Sequence, residues 1–153
     1  MRGLFLSMML LVLTAVPSAS AGEGLVSVNS SYGAKETADR VERIAKEMGM
    51  TLFSRIDHAA GARTIGEELR PTEVLIFGNP KGGTPLMKCK QSAGIDLPLK
   101  MLVWEDETGT VRVGYADPES LKSRHGIAGC DEVLKKMSGG LKKLASDSAR
   151  PGS

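Results

Sequence analysis

The stretch IDLPLKMLVWEDETGTVRVGYA, Ile95 to Ala116, decides the fold. Leu99 to Trp104 and Thr110 to Ala116 each read as a strand. Between them Glu107-Thr108-Gly109 supplies a turn in which Gly109 is free to take a positive φ. Val111, Val113 and Tyr115 share one face; Thr110, Arg112 and Gly114 share the other. A hairpin brings antiparallel pairing, which argues against a purely parallel, doubly wound sheet.

Upstream, Val74 to Phe77 is a continuous apolar run, as expected of a strand covered on both faces. The segment GNPKGGTPLM follows it. Thr84 as N-cap and Pro85 at the first helical position predict a helix that Gly94 stops. Earlier still, Leu25, Val26 and Val28 mark a first strand. A helix then carries Ala38, Val41, Ile44, Ala45 and Met48 as one apolar stripe, with Glu42 and Lys46 paired on its exposed side. Gly49 ends that helix, and MTLFSRIDH reads as a second strand, with Leu52, Ser54 and Ile56 pointing one way and Phe53, Arg55 and Asp57 the other. The connection AAGARTIGEELR is polar, with room for a helical turn.

Downstream, Asp117 caps a short helix with Pro118 at its start and Gly126 at its end. The last helix runs from Asp131 to Leu144, with Val133, Leu134, Met137, Leu141 and Leu144 as its stripe and Gly139 and Gly140 weakening it. The order of elements predicts a single compact α+β domain with a mixed, largely antiparallel sheet backed by helices, over residues 22–146. Residues 147–153 are expected to be a disordered tail.

Residues 1–21 read as a secretory signal: Arg2, an apolar run from Leu4 to Val16, and the small-residue cleavage site Ala19-Ser20-Ala21. The run is short for a membrane span, which needs about 20 residues. The expectation is therefore an exported protein, periplasmic or extracellular, with no stable span once the signal is removed. The formal net charge of +2 on 153 residues falls by one when Arg2 leaves, so nothing points to nucleic acid. The lysine pairs Lys135-Lys136 and Lys142-Lys143 read as a solvated helix face. Two cysteines, Cys89 and Cys130, permit one disulfide in an oxidising compartment, worth about 4 kcal/mol in the chain-entropy account.

The glycine loop invites a nucleotide reading, but the spacing fails. A phosphate-binding loop needs lysine between its last glycine and the hydroxyl residue. Here Gly83 and Thr84 are adjacent and Lys81 precedes the glycine pair, while Pro80 removes a backbone N–H. What survives is an anion at the N-terminus of a helix beginning after Thr84, or a plain turn whose glycines serve its backbone angles. His58 and His125 belong to no metal-binding spacing, and no nucleophile elbow is present. No catalytic or metal residue is assigned, and no cofactor.

RIDHAAGA (55–62), LRPTEVLIFGNPKGGTPLM (69–87), IDLPLKMLVWED (95–106) and YADPESLKSRHGI (115–127), in this order, resemble the domain of unknown function 302 family. The resemblance implies a compact α+β homodimer and no established activity. The positions carrying the family's motifs are Asp57, His58, Gly78, Asn79, Pro80, Asp96, Leu97, Pro98 and His125. The cysteines stand outside the general pattern, which fits a disulfide added in exported members. The expected function is a non-enzymatic module for a small-molecule or anionic ligand or for a partner, with Asp57, His58, Gly78, Asn79, Lys81, Thr84 and His125 as candidate ligand contacts. The alternatives are an enzyme or redox protein using His58 and His125 with Cys89 and Cys130, and a homodimeric assembly protein.

Overall fold

A computed structural model describes residues 24–151. The signal and its cleavage site, and the last two residues, lie outside the described residues. The chain forms strands β1 (Leu25–Asn29), β2 (Thr51–Asp57), β3 (Thr72–Gly78), β4 (Leu99–Glu105) and β5 (Val111–Ala116). Its helices are α1 (Ala34–Glu47), α2 (His58–Thr64), α3 (Pro80–Cys89), α4 (Leu121–His125) and α5 (Asp131–Ala149), with 3₁₀ turns at Gln91–Asp96 and Pro118–Ser120. The single α+β domain holds one sheet in the order β1-β5-β4-β3-β2, with every neighbouring pair antiparallel. The sheet expected to be mixed is thus wholly antiparallel: β2, β3, β4 and β5 follow one another as neighbours, and α1 carries the chain from β1 at one edge to β2 at the other.

The β4–β5 hairpin closes as its residues dictate. Gly109 takes φ +78°, and the buried Asp106 carboxylate accepts from the N–H groups of Thr108 and Thr110, each at 3.0 Å, and from Arg112 Nε at 2.7 Å. Val111, Val113 and Tyr115 all face the core. With them pack Leu75, Phe77, Met101 and Val103 from the sheet, Ala38, Val41, Ile44 and Ala45 from α1, and Leu141, Leu144 and Ala145 from α5. Each fully buried Leu, Val or Phe contributes about 2 kcal/mol, so this layer of two helices on one sheet face is where the stability lies.

The opposite face of the sheet is uncovered among the described residues. Val74 and Ile76 were expected to be covered on both sides of β3, but they are only half-buried, whereas Leu75 and Phe77 are fully buried. An apolar run therefore marks a strand with one core face and one bare apolar face here. The face pattern expected of β2 is also broken. A bulge between Leu52 and Ser54 leaves Phe53 unpaired, so Leu52 and Arg55 share the helix side with Phe77 and Leu75.

Helix α5 continues past Leu144. Ala145, Ser148 and Ala149 are buried, and Arg40 of α1 donates to the carbonyls of Asp147, Ser148 and Arg150 at 2.9–3.0 Å. Residues 147–149 are thus the last turn of a helix and not tail, because a guanidinium from another helix satisfies its terminal carbonyls.

Helix α3 starts earlier than the Thr84-Pro85 pair predicts. Asn79 is the N-cap, its Oδ1 accepting from Lys81 N at 2.8 Å, and Pro80 occupies the first helical position. The helix ends at Cys89, before Gly94, which lies in the 3₁₀ turn.

Candidate functional site

The sequence of α3 is poor for a helix. Gly82 and Gly83 cost about 1 kcal/mol each relative to alanine, and an interior proline such as Pro85 about 3 kcal/mol. Only Leu86 of this helix is buried. It packs in a second apolar cluster with Ala93, Leu121, Ile127, Cys130, Leu134 and Met137. Cys89, at its last residue, stands at disulfide distance from Cys130, the N-cap of α5, with 6.4 Å between their Cα atoms.

Between α3, α5 and the β2–β3 edge lies an open groove of about 840 Å³. Its walls are Met48, Met50 and Phe53 on one side, Met87 and Leu97–Leu99 on a second, and Val133, Met137 and Leu141 on a third. The bulge in β2 delivers Phe53 here, 57% exposed. Gly78, Gly82, Gly83, Gly94 and Gly140 line it without side chains, which keeps it wide. Polar groups are few: Asn79, Lys81, Thr84, Glu132 and Lys136. Neither Lys81 nor Lys136 makes an ion pair among the described residues.

Four of the seven candidate contacts, Gly78, Asn79, Lys81 and Thr84, are therefore gathered in one groove. The backbone anion grip expected of them is not available. Pro80 has no N–H, Lys81 N is bound by the Asn79 side chain, and Gly82 N and Gly83 N both donate to Asn79 O at 2.9 and 3.1 Å. Asn79 Nδ2 donates to Gly49 O at 2.7 Å, fastening the loop to the end of α1. The glycine pair has no positive φ and simply continues the helix. The remaining grips for an anion are the two side-chain ammonium groups.

Asp57 and His58 are elsewhere. Asp57 caps α2, its Oδ1 accepting from Ala60 N at 2.8 Å, and His58 is an exposed first residue of that helix. His125 ends α4 with a side chain 8% exposed. Its Nε2 donates to Asp96 Oδ2 at 2.6 Å, and Ser92 Oγ lies 3.1 Å from Nδ1. The hydrogen bond from His125 holds the Asp96 carboxyl below the usual carboxylate range, helped by the charge of Arg124, whose Nη1 lies 2.5 Å from Oδ1. This chain fastens the 3₁₀ turn to α4, and none of its members lines the groove. The joint site of His58, His125 and the cysteines is corrected accordingly: His125 takes Asp96 and Ser92 as partners, and the sulfurs take each other.

The glycine-loop motif thus lines a built groove while the motifs around Asp57, His58 and His125 lie apart from it, and the comparisons with known proteins agree with the fold. Residues 26–144 match the family described as Domain of unknown function DUF302. The chain belongs to the DUF302 family. A crystal structure of an uncharacterized conserved DUF302 protein from Bacillus stearothermophilus superposes with a TM-score of 0.76 at 22% identity, over 84% of this chain and 99% of that one, and shares the fold. Proteins named fluoride-specific ion channel FluC 1 from Brucella suis biovar 1 (strain 1330) and Brucella abortus biovar 1 (strain 9-941) are each 47% identical to this DUF302 chain over 115 residues. The match takes in 74% of this chain but only 45% and 43% of those proteins, so the chain spans less than half the length of these relatives. Among the described residues of this DUF302 domain no helix is long and apolar enough to cross a membrane.

Sequence reasoning missed the apolar lining. The signal was there in the methionines. Of eight, five lie beyond residue 21, and Met48, Met50, Met87 and Met137 of those five line the groove. Methionine at this density suits a surface that repacks around a bound apolar body.

Proposed function

We propose that the chain is an exported, non-enzymatic binding module whose groove takes a small amphiphile, an apolar body with one anionic end. The observation that carries this reading is the groove itself. Its volume falls within the range of about 300–1,000 Å³ usual for small-molecule sites. Its walls are methionine, phenylalanine, leucine and proline, and two ammonium groups with no ion pair among the described residues stand on it. The apolar body gains from burial among the methionines, and Lys81 or Lys136 takes the negative end. The ion conduction named for the Brucella proteins stays with those proteins, more than half of whose length lies outside the match.

The test is calorimetry and thermal melting of the mature protein with dodecanoate and with dodecanol. Dodecanoate is expected to bind and raise the melting temperature, by about 2.7 kcal/mol of stability at a hundredfold excess over Kd. Dodecanol is expected to bind more weakly. Phe53→Glu, at an exposed position, is expected to abolish binding without disturbing the core. Failure of both probes overturns the reading; equal binding of both removes its anionic half. Export is checked on protein from intact cells, where N-terminal sequencing is expected to begin near Gly22; a retained Met1 in the cytosolic fraction overturns it.

A second reading has its own observation, the bare sheet face. Ile56, Val74 and Leu102 stand in one cross-strand row, with Ile76 and Trp104 beside them. We propose that a second copy of the chain covers it, two sheets packing face to face. Five strands at ~4.8 Å spacing and ~20 Å length give a footprint of roughly 400 Å² per copy. That is small for a permanent interface, so the dimer is expected to be weak. Light scattering should show mass rising with concentration, and Leu102→Lys should hold the chain monomeric. A strict monomer at every concentration overturns it.

A further inference from the structure

We infer that the Cys89–Cys130 pair is a redox latch on helix α3, and that its reduction releases α3 and dismantles one wall of the groove. The inference rests on the groove being a binding site, and it concerns how that site is regulated.

Helix α3 has little of its own to keep it folded. Two adjacent glycines raise the entropy lost on ordering it. Pro85 has no N–H to give the carbonyl of Lys81. Beyond the latch, the helix is held by the Asn79 cap at its start, by one buried side chain, Leu86, and by light packing of Gly83 and Met87 against Leu97 and Gly94 after it. Cys89 is its last residue, so the bridge secures the end opposite the cap. The other half of the bridge, Cys130, begins α5, and α5 carries Val133, Lys136, Met137, Gly140 and Leu141 into the same groove. The bridge therefore ties one wall of the groove to another across 41 residues of sequence.

The two sulfurs differ in access. Cys89 is exposed between two exposed lysines, Lys88 and Lys90, whereas Cys130 is 9% exposed. An attacking thiolate reaches the Cys89 sulfur, and the lysine charges favour its approach. Cys130 then leaves as a thiolate at the start of a helix of 19 residues, where the aligned peptide dipoles favour negative charge. Asp131 beside it is engaged by Lys122, and Glu132 is exposed. The reductant is a dithiol. Its first thiolate breaks the Cys89–Cys130 bond and forms a mixed disulfide with Cys89. Its second thiol displaces Cys89 and closes the reductant into a disulfide. Two electrons and two protons pass to the cysteines.

The larger core does not depend on this helix. The cluster of α1, α5 and the sheet contains no residue of α3, so losing α3 leaves the sheet and its two covering helices packed.

Amide hydrogen exchange on the mature protein, oxidised and then reduced with dithiothreitol, tests the latch without any ligand. Peptides covering residues 80–90 are expected to exchange at least tenfold faster after reduction, with those of β3, β4 and β5 unchanged. The Cys89→Ser/Cys130→Ser double variant is expected to match the reduced protein and to ignore the dithiol. Unchanged exchange in 80–90 overturns the latch; acceleration everywhere also overturns it, making the bridge a staple of the whole fold. Dodecanoate binding by the same samples is expected to weaken at least tenfold on reduction. If α3 opens but dodecanoate binds neither form, the groove reading fails and the latch stands. If dodecanoate binds both forms equally while 80–90 stays protected, the latch fails and the groove reading stands.

Discussion

At Gly114 one hydrogen in place of a methyl sets how closely Trp104 lies on β5. A Cβ there would stand 2.9 Å from Trp104 Cζ3 and 3.1 Å from Val26 O of the neighbouring strand. The indole could turn away; the backbone carbonyl cannot without bending β1. Gly114→Ala is therefore expected to cost about 2 kcal/mol, read by urea unfolding. Adding Trp104→Leu is expected to recover only part of it, and complete recovery would show that the carbonyl contact does not matter. Arg55 is a second residue whose weight the sequence hides. Its guanidinium meets Glu73 Oε1 at 2.6 Å, Asp39 Oδ1 at 2.8 Å and Glu42 Oε2 at 2.9 Å, joining β2 and β3 to α1. Removing it leaves three carboxylates facing one another, so Arg55→Met is expected to destabilise by about 2 kcal/mol, and lysine, without the fork, to restore less than half. Neither residue stood out in the sequence. Gly114 reads as an ordinary strand glycine until Trp104 is placed above it, and Arg55 as a surface charge until the β2 bulge turns it toward α1.

Helix α3 shows why an element's existence was legible and its start was not. Asn79-Pro80 and Thr84-Pro85 both offer a capping side chain followed by a proline at the first helical position. Local chemistry barely distinguishes them. Tertiary contacts do: Asn79 Nδ2 reaches Gly49 O, which fixes the cap against the end of α1 and commits the chain to turning there. The hairpin, by contrast, was legible because Gly109, its alternating faces and its turn length all point to one answer within a few residues. The groove was not, since it is built from four separated segments and no local period records it. The placement of α3 has a direct test at Gly82. The position is helical, has no positive φ, and a Cβ there would meet nothing within 4 Å. Gly82→Ala is expected to raise stability by about 0.5–1 kcal/mol in thermal melts of the oxidised protein. A phosphate-loop glycine would respond the other way, so destabilisation would return the segment to the loop reading.

For the molecule as a whole, acid is the condition that attacks several joints at once. The carboxyls of Asp39, Glu42, Asp96 and Asp106 are each held below their ordinary range: Asp39 by Lys35 and Arg55, Glu42 by Lys46 and Arg55, Asp96 by His125 and Arg124, and Asp106 by Thr108 and Arg112. These groups fasten α1 to β2, the 3₁₀ turn to α4, and the hairpin to itself. A carboxyl whose folded pKa lies below its unfolded one binds its proton more readily when unfolded. Its contribution is complete above the unfolded value of about 4 and is lost as pH falls through the folded one. The melting temperature is therefore expected to be level from neutrality to about pH 5 and to drop steadily below about pH 4. Asp96 gives the control, because one substitution removes one of these contributions. Asp96→Asn is expected to cost about 1 kcal/mol at neutral pH, the value discounted for a side chain partly open to water. That deficit should shrink as the pH falls below about 4 and through the lowered native value, where the native carboxyl takes up its proton as well. A deficit that stays constant across the whole range would mean that Asp96 acts by shape alone, and that its charge does not hold the turn against α4.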